Sequence, residues 1–335
     1  MSATATAPRL KTSAMIASIA AEGQRTISAP FGHALARLAE TKPEIVGMSA
    51  DLAKYTDLHI FQQAHPDRFY QMGMAEQLLL MSGAGMAREG FQPWLTTYAV
   101  FAARRAYDFL CLAIAEEGLD VKLVCALPGL TTGYGPSHQA TEDLAIFRGM
   151  PELTIVDPCD AIEIEQAVPA ISAHKGAVYM RLLRGKVPAV LDEYDYRFEL
   201  GKAKLLRDGN DVLFVSSGLM TMRALEAAEA LRADSVDAAV LHVPTIKPLD
   251  EETIRAAVAA RPGRLVVVAE NHSVIGGLGE AVAASLLRGG VTPTAFRQIG
   301  LPDRFLDAGA LPTLHDRYGI STVKVVEQAK NWLSA

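Results

Sequence analysis

One acidic residue, Glu76, stands between an apolar run that ends at Met72 and a markedly apolar stretch over residues 78–87. A carboxyl group buried there without a partner stays neutral because desolvation raises its pKa, so it can donate or shuttle a proton near neutral pH. The plain alternative is a carboxylate at a helix start, where the helix dipole favours negative charge. Tyr98 and Phe101 lie three residues apart, just before the basic pair Arg104 and Arg105. Their faces suit a flat heterocycle, although rings at helical spacing also serve as core. The glycine-rich segment 129–139 (GLTTGYGPSHQ) carries Tyr134 and delivers His138 close to a helix start. A histidine there suits proton transfer or a hydrogen bond to a substrate hydroxyl, the bland alternative being a solvated loop side chain. Arg181 and Arg184 close another apolar run, where a guanidinium can meet a phosphate or carboxylate or simply sit at a strand end. Gly276-Gly277-Leu278-Gly279 lacks dinucleotide-loop spacing and reads as a tight turn. No zinc-protease, Walker or nucleophile-elbow motif occurs.

These residues need a scaffold, and the pattern supplies one. Short apolar runs at 44–48, 69–72, 93–99, 121–126, 153–156 and 177–182 alternate with Ala- and Leu-rich helical stretches at 77–88, 104–117 and 161–174. That alternation is the mark of a parallel sheet with crossover helices. After a charged, Tyr- and Pro-containing passage, further strands are expected at 211–216, 238–243, 265–269 and 294–299, with helices at 221–232 and 251–260. The fold class is therefore α/β with two domains, each a mostly parallel open sheet flanked by helices. The expected division is a tail over residues 1–24, a first domain over 25–190, a linker over 191–204 and a second domain over 205–335. In such sheets ligands bind beyond the carboxyl ends of the strands, where segment 129–139 lies.

Composition narrows the function. The 335 residues are 50% hydrophobic and 21% charged, which is ordinary globular usage. Lys and Arg number 32 against 38 Asp and Glu, a net charge of −6, so no basic excess exists to neutralise nucleic acid. Cys111, Cys125 and Cys159 fit no zinc or disulfide spacing and read as reduced core thiols, implying the cytoplasm. The longest uncharged stretch, 123–141, is interrupted by Pro, Gly and His, so no membrane span is expected.

In order along the chain, SADLAKYT (49–56), GMAEQ (73–77), TYAVFAARRAYD (97–108), GPSHQATEDLAIFRGMPELTIVDPCDA (135–161) and YMRLLRG (179–185) resemble the pyrimidine-binding domain of thiamine-diphosphate enzymes, most closely transketolases. IKPLDEETI (246–254), VVVAENHSVIGGLGEAVA (266–283) and IGLPDRFLDAG (299–309) are similar to the C-terminal domain that transketolases share with deoxyxylulose-phosphate synthase. The resemblance implies thiamine diphosphate as cofactor. Glu76 matches the family glutamate that hydrogen-bonds the pyrimidine ring nitrogen, and Tyr98 and Phe101 match the aromatics around that ring. His138 matches the histidine facing substrate hydroxyls, Asp51 the aspartate on the thiazolium side, and Arg184 an arginine that contacts a sugar phosphate. No Gly-Asp-Gly occurs. The resemblance thus implies the C-terminal subunit of a split transketolase, with a separately encoded diphosphate-binding N-terminal subunit that holds the magnesium, in an α2β2 assembly acting on small sugars.

The departures cluster in the substrate channel. Tyr134 stands where sugar-phosphate transketolases have an aspartate, Leu127-Pro128 replaces a His-containing stretch, and Ser28-Ala29-Pro30 occupies the place of an expected arginine, with Arg25 displaced. They point to ketol transfer with an unusual sugar or sugar phosphate. Two other readings stay open: a 2-oxo acid dehydrogenase β subunit or deoxyxylulose-phosphate-type synthase, and a non-catalytic regulatory subunit of a thiamine-diphosphate enzyme.

Overall fold

The structure, a computed structural model, describes residues 19–20 and 23–334. Most of the tail expected over residues 1–24 lies outside them. The first half of the chain runs β1 (Thr26–Ser28), α1 (Pro30–Thr41), β2 (Ile45–Ser49), α2 (His59–Ala64), β3 (Phe69–Gln71), α3 (Glu76–Arg88) and β4 (Gln92–Tyr98). It continues through α4 (Ala99–Arg105), α5 (Tyr107–Leu110), β5 (Lys122–Ala126), α6 (Asp143–Arg148), β6 (Thr154–Val156), α7 (Ala161–Ala173), β7 (Val178–Leu182) and β8 (Lys186–Pro188). Then follow β9 (Lys204–Arg207), β10 (Val212–Ser216), α8 (Leu219–Arg232), β11 (Ala238–His242), β12 (Thr245–Lys247), α9 (Glu251–Ala259) and β13 (Leu265–Ser273). The chain closes with α10 (Leu278–Arg288), β14 (Ala295–Leu301), α11 (Leu311–Arg317) and α12 (Thr322–Leu333).

Two open sheets result. The first has the order β12-β6-β7-β5-β4-β2-β3, and the second β14-β13-β10-β11-β9. Both are parallel except at one edge, where β12 and β9 run antiparallel to their neighbours. The inner strands β2, β4, β5, β7, β10 and β11 bury every residue, because helices cover both faces. That is why they read in the sequence as unbroken apolar runs. Helix starts follow local chemistry: Asp160 accepts the Glu163 N–H at 2.8 Å at the head of α7, and Asp250 accepts that of Thr253 at 3.2 Å at the head of α9. The helix expected over 104–117 is instead broken. α4 stops at Arg105, α5 is a single turn, and residues Cys111–Ala115 form a π-turn.

The two halves interlock. β12 comes from beyond the connection between the sheets, yet pairs with β6 of the first sheet. Close by, Arg181 is fully buried and belongs to neither surface nor ligand site. Its Nε and Nη2 donate to the two oxygens of Asp143 at 2.8 Å each, its Nη1 reaches Asp157 at 3.2 Å, and Nη2 also donates to the Asn271 carbonyl at 3.0 Å. Tyr179 donates to Asp143 at 2.6 Å and Ser217 to Asp157 at 2.8 Å, so the carboxylates are further satisfied. Asp143, although desolvated, is held below the usual carboxylate range by Arg181, whereas burial keeps Asp157 above it.

Arg181→Met would leave two buried carboxylates without their cation. The expected loss is about 3–5 kcal/mol of unfolding free energy, read from urea denaturation at neutral pH. A loss below about 1 kcal/mol would mean that the guanidinium does not sustain this contact.

Candidate active site

Glu76 is the first residue of α3, and only 3% of its side chain is exposed. Its helix is preceded by Ala75, which has no capping side chain, so the acidic residue itself faces the helix start. The carboxylate is not unpartnered. Arg105, at the end of α4, places Nη1 3.3 Å from both oxygens, and its guanidinium carbon lies 4.1 Å from the centre of the Phe101 ring. The arginine is half exposed, whereas Glu76 is buried at the start of its helix. Sequence reasoning noticed Arg105 only as part of a basic pair. Its i,i+4 relation to Phe101 was the available signal.

Phe101 belongs to a cluster of four rings. Tyr98 ends β4, and Phe101 follows within α4, with ring centres 5.7 Å apart. His138 sits edge-on to both, at 6.0 Å and 5.3 Å, and Tyr134 lies 5.1 Å from His138. The Ser137 hydroxyl is 2.9 Å from His138 Nδ1 and so orients the imidazole. Burial, reinforced by the positive charge of Arg105, pulls the His138 pKa below its ordinary value, favouring the neutral ring at neutral pH. Burial likewise raises the Tyr98 hydroxyl, outweighing the attraction of Arg184. Of the residues expected at the site, Tyr98, Phe101 and His138 therefore meet, Tyr134 joins them, and Glu76 is linked to them through Arg105.

Arg184 and Asp51 occupy different ground. Arg184 lines a cavity of about 400 Å³ with Lys54, Asp57, His59, Leu127 and Lys186, beside the ring cluster rather than within it. Its Nε and the His59 Nδ1 are buried without hydrogen-bond partners. Desolvation raises the Asp57 pKa, while Asp57 accepts the Gly185 N–H at 2.9 Å. Asp51 is exposed beyond β2, in left-handed conformation (φ 59°), and its N–H donates to Gln71 Oε1 at 2.6 Å.

A third feature was invisible in the sequence: the second domain grips the loop that carries Tyr134 and His138. Asn271 Oδ1 accepts the Leu130 N–H at 2.9 Å, and His315 Nε2 is 2.7 Å from the Leu130 carbonyl. Gln139 Nε2 donates to the Thr132 and Asp307 carbonyls, and Gly309 donates its N–H to Gly133. At Gly129 (φ 56°) a Cβ would fall 2.1 Å from the Asn271 carbonyl oxygen, so only glycine fits.

Buried groups elsewhere are already engaged. Cys159, Glu163 and His242 bring possible metal-ligand atoms within 4.8 Å of one another. However, Glu163 already accepts from the Cys159 N–H, the Tyr196 hydroxyl and His242, which makes the trio a hydrogen-bonded strut. No helix among the described residues is long and apolar enough to cross a membrane.

With this geometry in hand, comparison with known proteins is decisive. The transketolase pyrimidine-binding domain family matches residues 24–189, and the transketolase C-terminal domain family matches residues 201–325. The chain belongs to the transketolase family. It is 79% identical over 326 residues to the uncharacterized transketolase family protein y4mN of Sinorhizobium fredii, covering 97% of this chain and 94% of that protein. It is 39% identical over 297 residues to the 6-deoxy-6-sulfo-D-fructose transketolase subunit SqwH of Clostridium sp., covering 88% and 90%. Among solved structures, a split gene transketolase described as an inactive beta4 tetramer superposes with a TM-score of 0.82 at 37% identity, covering 91% of this chain and 97% of that one. The 1-deoxy-D-xylulose-5-phosphate synthase of Desulforudis audaxviator is 33% identical, but the match covers only 47% of it. The transketolase family depends on thiamine diphosphate. A buried carboxylate joined through Arg105 to a pair of aromatic rings fits the aminopyrimidine part of that cofactor, which needs a proton-exchanging partner and stacking faces.

Titration offers a check on the grip from the second domain. Burial lowers His315 to about 4, with Arg223 adding to the effect, so the ring is neutral and Nε2 donates to Leu130. In the unfolded chain it titrates near 6.5. Because the unfolded state binds the proton first, the stability His315 supplies above pH 6.5 is lost as pH falls towards 4. Buried His272, also lowered to about 4, acts in the same direction, while Glu270, raised to about 7 by burial, loses stability as pH rises from 4.5 to 7. Replacing His315 by Gln removes one term. The variant should lose less stability than the parent between pH 6.5 and 4, by an amount on the order of 3 kcal/mol. Identical pH dependence by denaturant titration would refute a buried neutral His315.

Proposed function

We propose that this chain is the C-terminal, pyrimidine-binding subunit of a two-subunit transketolase that moves a two-carbon ketol unit from a ketose or ketose phosphate to an aldose. The observation that carries the reading is the buried Glu76 carboxylate, linked through Arg105 to the ring cluster of Tyr98, Phe101 and His138. Thiamine diphosphate, when bound, supplies the nucleophilic carbon and electron sink. Glu76 holds and exchanges a proton with the pyrimidine ring nitrogen, for which a buried carboxylate on a rigid helix start is well placed. Tyr98 and Phe101 hold the ring by stacking, and Arg105 leaves Phe101 and Glu76 as the ring is seated. Asp51 is assigned to the thiazolium side from the family resemblance.

On the substrate side, neutral His138 donates to or accepts from a sugar hydroxyl, with Ser137 fixing its orientation. Tyr134 beside it reads a further hydroxyl. Arg184 faces the anionic end of the sugar, in a cavity that Lys54 and Lys186 also line. The substitutions at Leu127, Pro128 and Tyr134 favour a sugar other than the ordinary pentose phosphates. The sulfofructose substrate in the name of the Clostridium relative supports the same view.

The partner is a separately encoded subunit that binds the diphosphate and magnesium, in an α2β2 assembly in the cytoplasm. Relatives that align nearly end to end with this chain include one named as a subunit and one described as split-gene, and both support this view. An apolar face supports it too. Leu78 and Met81 stand three residues apart on α3, with Met74 before them, and all three are exposed.

The test is turnover by this chain with and without the diphosphate-binding subunit, in thiamine diphosphate and magnesium. The donors are xylulose 5-phosphate, fructose 6-phosphate, 6-deoxy-6-sulfofructose and pyruvate. Ketol transfer should appear only in the pair, and Glu76→Gln should lower kcat by about 10²-fold or more. Pyruvate decarboxylation would favour the synthase or dehydrogenase reading. Full turnover by Glu76→Gln would remove the carboxylate from the chemistry and support a regulatory subunit.

A further inference from the structure

The residues assigned to cofactor and substrate all lie in the first domain, yet the loop bearing two of them is tied chiefly to the second. Three consecutive residues at the end of β13 take part. Asn271 accepts the Leu130 N–H through its side chain at 2.9 Å, His272 Nε2 accepts the Ala145 N–H at 3.2 Å, and Ser273 donates its N–H to the Thr141 carbonyl at 2.8 Å. His315, from α11, takes the Leu130 carbonyl at 2.7 Å. Both main-chain polar groups of one loop residue, Leu130, are thereby satisfied by side chains more than 140 residues away along the chain. Asn271, His272 and His315 are all buried, with at most 3% exposure, so water cannot replace them cheaply. Asn271 is itself fixed, because its carbonyl accepts from Arg181 at 3.0 Å.

The loop needs such external fixing. Between β5 and α6 it contains three glycines and no run of regular structure, and only isolated bridges join residues 128 and 129 to Ala140. A loop of that kind is mobile by default. His138 and Tyr134 can act on a substrate only if they are held to within a fraction of an ångström.

We infer that Asn271 and His315 are positioning residues: the second domain serves the reaction by clamping the main chain on both sides of Leu130 and thereby setting His138 and Tyr134 against the substrate. This inference rests on the ketol-transfer reading for its kinetic consequence but not for its structural one. The second domain so acts through hydrogen bonds to a backbone, contributing no reacting group.

The experiment compares Asn271→Leu, His315→Leu and His315→Gln with the parent chain. Gln can present an Nε2–H to the Leu130 carbonyl where the imidazole did, and Leu cannot. Hydrogen exchange of the full chain reads the loop directly, with β10 and β11 as the internal reference for an intact second domain. Amides of residues 129–139 should exchange faster in both Leu variants and stay protected in His315→Gln. In the reconstituted pair, the Leu variants should lose kcat by roughly ten- to a hundredfold, with the dissociation constant for thiamine diphosphate unchanged, while His315→Gln stays within about threefold of the parent. Unchanged loop exchange in both Leu variants overturns the inference. So does a loosened loop with parental kcat, or a His315→Gln variant as impaired as His315→Leu. If one Leu variant loses protection throughout β10 and β11, the other Leu variant and His315→Gln decide. Parental turnover by Glu76→Gln would instead count against the functional reading, and the exchange data would still judge the clamp.

Discussion

A guanidinium removed from water organises this protein. Taking Arg181 out of solvent costs several kcal/mol, and the cost is met only if its three nitrogens find well-aligned acceptors. They do: two oxygens of Asp143 at the head of α6, one of Asp157 beyond β6, and the carbonyl of Asn271 at the end of β13. Those acceptors come from both halves of the chain. A hydrophobic contact of the same size would tolerate sliding between the sheets, but a planar fork with fixed donor directions does not. Its second consequence is local. By holding the Asn271 carbonyl, the arginine fixes the residue that reaches the loop bearing His138.

The site gathered around Glu76 is a balance of opposing charges in a small volume. Arg105 compensates the buried carboxylate and also pushes His138 towards its neutral form. The same cation thus acts on two groups at once, pairing with one and holding the other's pKa down. The adjoining cavity carries another cost. Ala29, Asp57 and Leu127 line it in left-handed conformation, with φ of 47°, 60° and 59°, and none is glycine. Each such residue costs on the order of 1 kcal/mol, and the surrounding packing must impose it. Together with the unpartnered His59 and Arg184 nitrogens, this strain makes the cavity a locally costly part of the fold.

What could be read from the sequence followed burial. Central strands such as β5 and β10 announce themselves because every residue is buried and apolar, and helices α7 and α8 because their neighbours are. The short edge pieces β1, β8, β9 and β12, of three or four residues each, do not, since so few residues hold no period to detect. The break between α4 and α5 escaped because Ala106 is a good helix former, and the interruption is imposed by packing. Motif spacing brought out Glu76, Tyr98, Phe101 and His138, which lie within or next to a few regular elements. Arg181 looked like either a surface or a ligand arginine, because nothing local says that two aspartates from elsewhere will enclose it.

The same limit explains why the second domain's part was hidden. Its link to the site runs through hydrogen bonds from Asn271 and His315 to a backbone peptide, and a backbone peptide has no residue identity to match in a motif. A segment such as ENHS reads as an ordinary strand end until the fold brings it against residues 130–145. What the second domain grips at Leu130 is main chain rather than side chain, so neighbours such as Tyr134 and Leu127 can vary in identity without removing these hydrogen bonds.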